Sequence, residues 1–580
     1  MKTVLNYVKA NYRRLSVILF AAIFFLFCAF VLYSYITAPF TGDLQVFMAA
    51  ANQVKYQKGG GILAIFEAWE LKGIGNRILM WLVYFIADLF VGYERKILFT
   101  HAAKIVYAIF AIATMGASAY LWPTKDTKHK IFAFFSMFLA VFATFTSVQM
   151  QAEMSCVIIS LFCTACILHG KRWSLITGGI IAATLVFYKS IFILFFVVIL
   201  LGSLIYDRES YSKKKNYWLA IGSMGISEVI FFALVFLIYP QEFADMQLSA
   251  DLQSTLFTEG SNVKLPYISD TFINQLTMTS IAIPFLVAGA AAAILLIFAF
   301  LKKKDFGRIG LLIILWLIPI DLIVVSNMYF QYHYYMLMLP GLLSIITLLK
   351  HEDISLMSIL AAAVLGIAVV YANKVLEIVN LSLIMLVLLH ILILAAAAGF
   401  ALKSKIVKGW FHVLTLAVCM FFWFNYSSCI SEKHDNLVNL QAQSVAICDS
   451  TFPEDFGDEP VLFLDGGCAP FYADAPSYSR YFFNLPMQRW SAGKDWPIQA
   501  SEYEKLMAYD GKYIVYDPWF KIQKYPALLD KINNEYEPLP NSGLYFHSPE
   551  WDLLQILGVP DAAGTNADST CVIYVRKGAQ

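Results

Sequence analysis

The chain has 580 residues, 59% of them hydrophobic and 14% charged, with a formal net charge of +1; soluble proteins run at about 45–50% and 25%. That balance excludes a soluble enzyme as the whole of the chain. With no basic arm or Arg-rich tail, it also excludes nucleic acid as a partner. What remains is a polytopic α-helical membrane protein whose informative charges lie between apolar runs.

Lys2, Lys9, Arg13 and Arg14 precede an apolar run from Leu15 to Thr37. The run is too long for a signal-peptide core of about 7–15 residues and has no small-residue cleavage site, so it reads as a retained first span with a cytoplasmic N-terminus. The loop that follows, residues 38–95, is expected outside and delivers Asp43 directly off the end of that span. Within it, residues 78–92 are apolar but only about 15 long, short of the roughly 20 that a span needs. They are expected to form a re-entrant or surface-lying helix. The next span, 97–121, then delivers the basic WPTKDTKHK loop to the cytoplasm.

Further spans are expected at about 131–148, 154–169, 173–188, 190–206, 217–239, 277–301, 309–328, 334–349, 354–372, 380–402 and 408–427, which makes about thirteen. Under this register the basic loops HGKRW, YDRESYSKKKNYW, KKKDFGR and KSKIVKG all fall inside. The exported face receives the Asp43 loop, the SVQMQAEM turn, a long polar loop at about 240–276, the YFQYHYY segment and everything after about residue 430.

Residues 1–429 thus read as a transmembrane unit and 430–580 as an extracytoplasmic domain. In the latter, EPVLFLDGG, GKYIVYDP and TCVIYVRKG read as strands, and EYEKLMAYD and PALLDKIN as helices. Alternation of the two suggests a small α/β fold with a largely parallel sheet. Cys429, Cys448, Cys468 and Cys571 lie in this part and allow three disulfide pairings.

An ionised side chain at the centre of a membrane helix costs about 2.5–3.5 kcal/mol on insertion scales, so charges near apolar runs are functional candidates. Asp43 reads either as a helix cap or as a proton acceptor. Glu153 is a second acid at the outer end of a span. Lys72, Arg77 and Lys189 either snorkel to headgroups or grip a phosphate. His333 is either a satisfied interfacial histidine or a donor to phosphate or sugar. No compact ligand cluster is visible, so a divalent metal is compatible with the site but not demanded.

Together these residues resemble the GT-C class of membrane glycosyltransferases, in layout the aminoarabinose lipid A transferases and protein O-mannosyltransferases. The resemblance is carried by GDLQVF (Asp43), WELKGIGNR (Lys72, Arg77), VQMQAEM (Glu153), YFQYHYYMLMLP (His333) and PSYSRYFF (Arg480). The family's K-P-P triplet is absent, Gly73 following Lys72, and there is no W-W-D-Y-G of the oligosaccharyltransferases. The resemblance implies inverting transfer of a sugar from a polyprenyl-phosphate-linked donor to a glycan, lipid or protein acceptor outside the inner membrane. Asp43 and Glu153 would be the catalytic acids, and Lys72, Arg77, Lys189, His333 and Arg480 would hold the donor phosphate. Two other readings stay open, an O-antigen polymerase or ligase and a flippase for lipid-linked sugars.

Overall fold

The computed structural model describes residues 18, 21–22, 24–207, 217–256, 284–325, 331–351, 439, 441–481, 497–546 and 569–579, with short gaps. The expected spans 354–372, 380–402 and 408–427 lie outside the described residues, as do Cys429 and Cys468.

The chain forms a helical membrane bundle. Its helices are α1 (Phe24–Thr37), α2 (Gly42–Gln53), α3 (Ile74–Val91), α4 (Lys96–Leu121), α5 (Thr127–Phe142), α6 (Ala152–His169), α7 (Arg172–Ala182), α8 (Leu194–Tyr206), α9 (Tyr217–Ile238), α10 (Gln241–Leu256), α11 (Pro284–Lys302), α12 (Phe306–Val325) and α13 (Met338–His351). Among the described residues α3, α4, α6, α9 and most of α12 are long and apolar enough to cross a membrane. The most apolar 18-residue window of α6 is 89% buried, which makes it the centre of the bundle, whereas that of α9 is only 6% buried. Exposing Ile226, Val229 and Leu237 of α9 is tolerable only where lipid replaces water. Close packing elsewhere relies on small residues: Gly289 of α11 and Gly341 of α13 face each other so closely that a Cβ on the first would overlap the second.

Two regions depart from expectation. The polar stretch after Tyr239 is helical over Gln241–Leu256 rather than a loop. It contains no Gly or Pro and is rich in Gln, Glu, Ala, Met and Leu, all good helix formers, and Pro240 sits where a helix start tolerates it.

The second is α3, which begins four residues earlier than its apolar run suggests and reaches 18 residues, about 27 Å at 1.5 Å per residue. Length and composition would let it cross, and each of its ends is fixed by its own contacts. At its start Gly73 N–H donates to Tyr188 O, 3.1 Å away. Just past its end Tyr93 packs on Phe99 of α4 and donates to Phe471 O at 2.7 Å. Just past the far end of α4 Trp122 packs on Tyr206 at the end of α8, and Lys350 of α13 reaches the Tyr206 carbonyl. The outward face of α3 carries Ile78, Leu82, Phe85, Ile86, Leu89 and Phe90, the helical spacing of an exposed apolar stripe.

Among its described residues the C-terminal part holds five strands, β1 (Leu462–Leu464), β2 (Tyr513–Tyr516), β3 (Tyr536–Pro538), β4 (Leu544–Phe546) and β5 (Ser569–Arg576). The sheet is mostly antiparallel rather than largely parallel. Only β1 and β2 run the same way, while β5 pairs antiparallel with β2, β3 and β4. Strands buried on both faces look alike in sequence whichever way they pair, so pattern alone could not tell them apart. Cys448 is a buried free thiol, and Cys571 is buried in β5.

This unit is fastened to α2. Gln53 Nε2 donates to Ala475 O at 3.0 Å and its Oε1 accepts from Ser477 N at 2.8 Å. Asp474 Oδ1 accepts from Asn52, Lys55 and Tyr56 at 3.1, 2.6 and 2.7 Å. The helix that carries Asp43 is thus held at its other end by the domain below it in sequence.

Candidate active site

Five of the sequence candidates converge at one end of the bundle. Glu153 lies in the first turn of α6, where the helix dipole favours a carboxylate, and it is fully buried. Its Oε1 accepts from His333 Nδ1 at 2.9 Å and from Lys189 Nζ at 3.5 Å. Its Oε2 has no hydrogen-bond partner among the described residues. Lys189 Nζ also stands 3.5 Å from His333 Nδ1. Lys189 occupies an extended residue between the 3₁₀ turns Leu185–Phe187 and Ser190–Ile193, a break in an otherwise apolar helical run.

Lys72 is brought alongside by Gly73. The Gly73–Tyr188 backbone bond draws the strand before α3 against the Lys189 break, and any Cβ at Gly73 would fall on the Phe187 carbonyl. Glycine is the one residue that permits this approach, which gives the Lys-Gly sequence a steric reason.

Asp43 lies inside the first turn of α2, which starts at Gly42, so it is not the helix cap; it is only partly buried. It faces Lys72, Glu153, Lys189 and Gln151. Burial raises its carboxyl above the ordinary value; Lys72 opposes that and Glu153 reinforces it. Lys189 is pushed down to about 8, by burial first, with Glu153 acting the other way. Burial, then the Lys189 charge, hold the His333 ring well below its usual value, so it is neutral and donates from Nδ1.

Gln151 precedes α6 and is fully buried beside Asp43, and among the described residues neither of its amide atoms makes a well-formed hydrogen bond. The turn that delivers it passes through Met150 at φ 58°, a left-handed conformation costing about 1–3 kcal/mol for a non-glycine residue.

Arg77 and Arg480 lie in a second cluster. Arg77 is ion-paired with Glu242 of α10, and both are buried. Arg480 pairs with Asp245 of the same helix at 2.5 Å. Both guanidinium groups also donate to the Phe66 carbonyl, at 3.4 and 3.3 Å. Sequence reasoning missed Glu242 and Asp245, because their stretch reads as an unstructured loop. It also missed Lys104, a lysine inside the apolar run of α4 whose intramembrane charge was the available signal.

Among the described residues no three His, Cys, Asp or Glu side chains converge closely enough to hold a metal. The arrangement offers two carboxylates, two ammonium groups and a neutral imidazole, enough to accept a proton beside a bound anion. No family model matches the chain, and no curated protein matches it significantly.

Proposed function

We propose that this protein is an inverting glycosyltransferase that moves a sugar from a polyprenyl-phosphate-linked donor to a hydroxyl-bearing acceptor at the exported face of the bacterial inner membrane. The acceptor is a cell-envelope glycan, a lipid or a protein. The observation that carries the reading is the meeting of partly open Asp43 with Lys72 and Lys189 at one end of a membrane bundle. Asp43 takes the acceptor hydroxyl's proton as that oxygen bonds to the anomeric carbon, and the bond to the donor phosphate breaks with its electron pair. A single displacement inverts the sugar, as in inverting glycosidases. Lys72 and Lys189 stabilise the charge growing on the departing polyprenyl phosphate, and His333 and Glu153 hold Lys189 in place. Arg77 and Arg480, already paired with acids, brace the walls of the site in this reading.

The test uses the full-length protein purified in detergent, a panel of polyprenyl-phosphate sugars, and envelope extract as acceptor. Release of polyprenyl phosphate and gain of sugar by the extract are measured together. At least one donor is consumed by the wild type, and Asp43→Asn lowers that rate by about 10²–10⁴-fold while still binding donor. Full activity in Asp43→Asn removes Asp43 as the base. A wild type that consumes no donor, but moves it between leaflets of a vesicle, replaces the transferase with a flippase.

A further inference from the structure

Both turns that deliver the site carboxylates are tied to a single side chain outside the site. Lys104 of α4 is fully buried, and its Nζ donates to Gln149 Oε1 at 2.6 Å and to Pro39 O at 3.2 Å. Pro39 stands four residues ahead of Asp43, and Gln149 four residues ahead of Glu153. One lysine Nζ therefore bridges the chain segment entering α2 and the one entering α6. Gln149 passes the tie on, its Nε2 reaching Thr144 O at 3.5 Å beyond the end of α5.

The rings of Tyr35 and Phe40 stand 5.6 and 5.9 Å from its Nζ, and among the described residues no carboxylate pairs with it. A lysine held this way is expensive in a membrane bundle, where a methionine of similar length packs without the cost of burying a polar amine. Next to it, Met150 keeps its left-handed backbone, a conformation that persists only where the surroundings over-determine it.

We propose that Lys104 is a positioning residue that fixes the separation and aim of Asp43 and Glu153. The inference rests on the transfer reaction proposed above. Lys104 is not among the charges that act on Asp43, which are Lys72, Glu153 and Lys189. Its influence runs through the two hydrogen bonds rather than through space.

The test compares Lys104→Met, Gln149→Met, Gln149→Glu and the double methionine variant, all full-length in detergent, using the donor that the wild type consumes. Lys104→Met and Gln149→Met each lower kcat by about 10–100-fold, the scale of an ångström's misplacement, with donor KM within about twofold. The pH at which activity rises does not move. Gln149→Glu keeps an acceptor for Lys104 and retains activity within about threefold, and the double variant is no worse than the worse single one.

Unchanged kcat in both single variants overturns the inference. So does a Lys104→Met profile that merely shifts to higher pH and recovers fully above it, the mark of a charge acting at a distance. Thermal unfolding of the donor-free variants reads the Lys104–Gln149 coupling independently of turnover. Coupling without any wild-type turnover sinks the transfer reaction, and turnover without coupling sinks the tie alone.

Discussion

Glu153 and His333, separated by 180 positions in the chain, meet with Oε1 and Nδ1 2.9 Å apart. Because the imidazole is neutral, the carboxylate's charge is left to balance Lys189, whose Nζ approaches the same oxygen. Each member is buried, so none can be deleted without stranding another. Glu153→Ala leaves the Lys189 ammonium without its carboxylate and is expected to cost about 3–5 kcal/mol. Glu153→Gln still accepts from His333 and costs less. Glu153→Gln combined with Lys189→Met removes both charges and regains part of the loss. Thermal unfolding in detergent orders the variants, and a Glu153→Ala protein as stable as the wild type contradicts the pairing.

The same charges set the pH range of the proposed reaction. Burial raises the Asp43 carboxyl, so it stays protonated to higher pH than an exposed aspartate and cannot accept a proton there. Activity therefore rises with pH through that raised value. Lys189 loses its charge near pH 8, and with it part of the stabilisation of the leaving phosphate, so activity falls above that point. The expected kcat/KM profile is a bell. Lys72 is the first of the groups that favour the Asp43 carboxylate, and Lys72→Met moves the rising limb to higher pH. A rising limb left in place by that change would show that Lys72 does not face Asp43.

Much of this cluster was legible in the sequence because charge beside apolar runs is costly enough to need a reason. Asp43, Lys72, Glu153, Lys189 and His333 each stand at an end of such a run, and helices that alternate in direction return those ends to one level. What could not be read was who pairs with whom. Arg77 and Arg480 show as cations, but their partners Glu242 and Asp245 lie on a stretch without apolar periodicity, and long-range pairing leaves no local trace. Lys104 lies within an apolar run, and its two acceptors, one of them a backbone carbonyl, have no signature. Strand direction in the C-terminal sheet escaped for a related reason: Ile514 and Ile573 are both buried, and burial does not record orientation.

Arg77 separates a structural from a phosphate-binding role. It is paired with Glu242, and neither side chain is more than a few per cent exposed. Breaking the pair with Glu242→Ala leaves a buried guanidinium and is expected to destabilise by about 3–5 kcal/mol. Replacing both with methionine removes the charge problem, and stability returns to within about 1 kcal/mol of the wild type. If Arg77 serves only as a brace, this double variant keeps donor KM within about threefold. A large rise in KM with stability intact would return Arg77 to the phosphate.

The clasp at Asp474 ties the C-terminal sheet unit to the helix of Asp43, and its strength depends on pH with a definite sign. Burial favours the protonated acid, but the hydrogen bonds from Lys55, Tyr56 and Asn52 prevail and hold the carboxyl below its ordinary 3.8. A carboxylate with a depressed folded value contributes stability above the unfolded value and loses it as pH falls through the folded one. The clasp is therefore intact at neutral pH and weakens below about pH 4. Since the Asp474 side chain is 42% exposed, solvent screens the pair with Lys55, and Asp474→Ala is expected to cost only about 1–2 kcal/mol. Asn52 also accepts from Tyr84 of α3 at 2.7 Å, so loosening at Asp474 reaches both α2 and α3. Limited proteolysis should show faster cleavage around residues 471–477 in Asp474→Ala at pH 7, and in the wild type only once the pH drops below 4. Equal cleavage of the two proteins at pH 7 would mean that the Gln53 bonds to Ala475 and Ser477 hold the domain without help from Asp474.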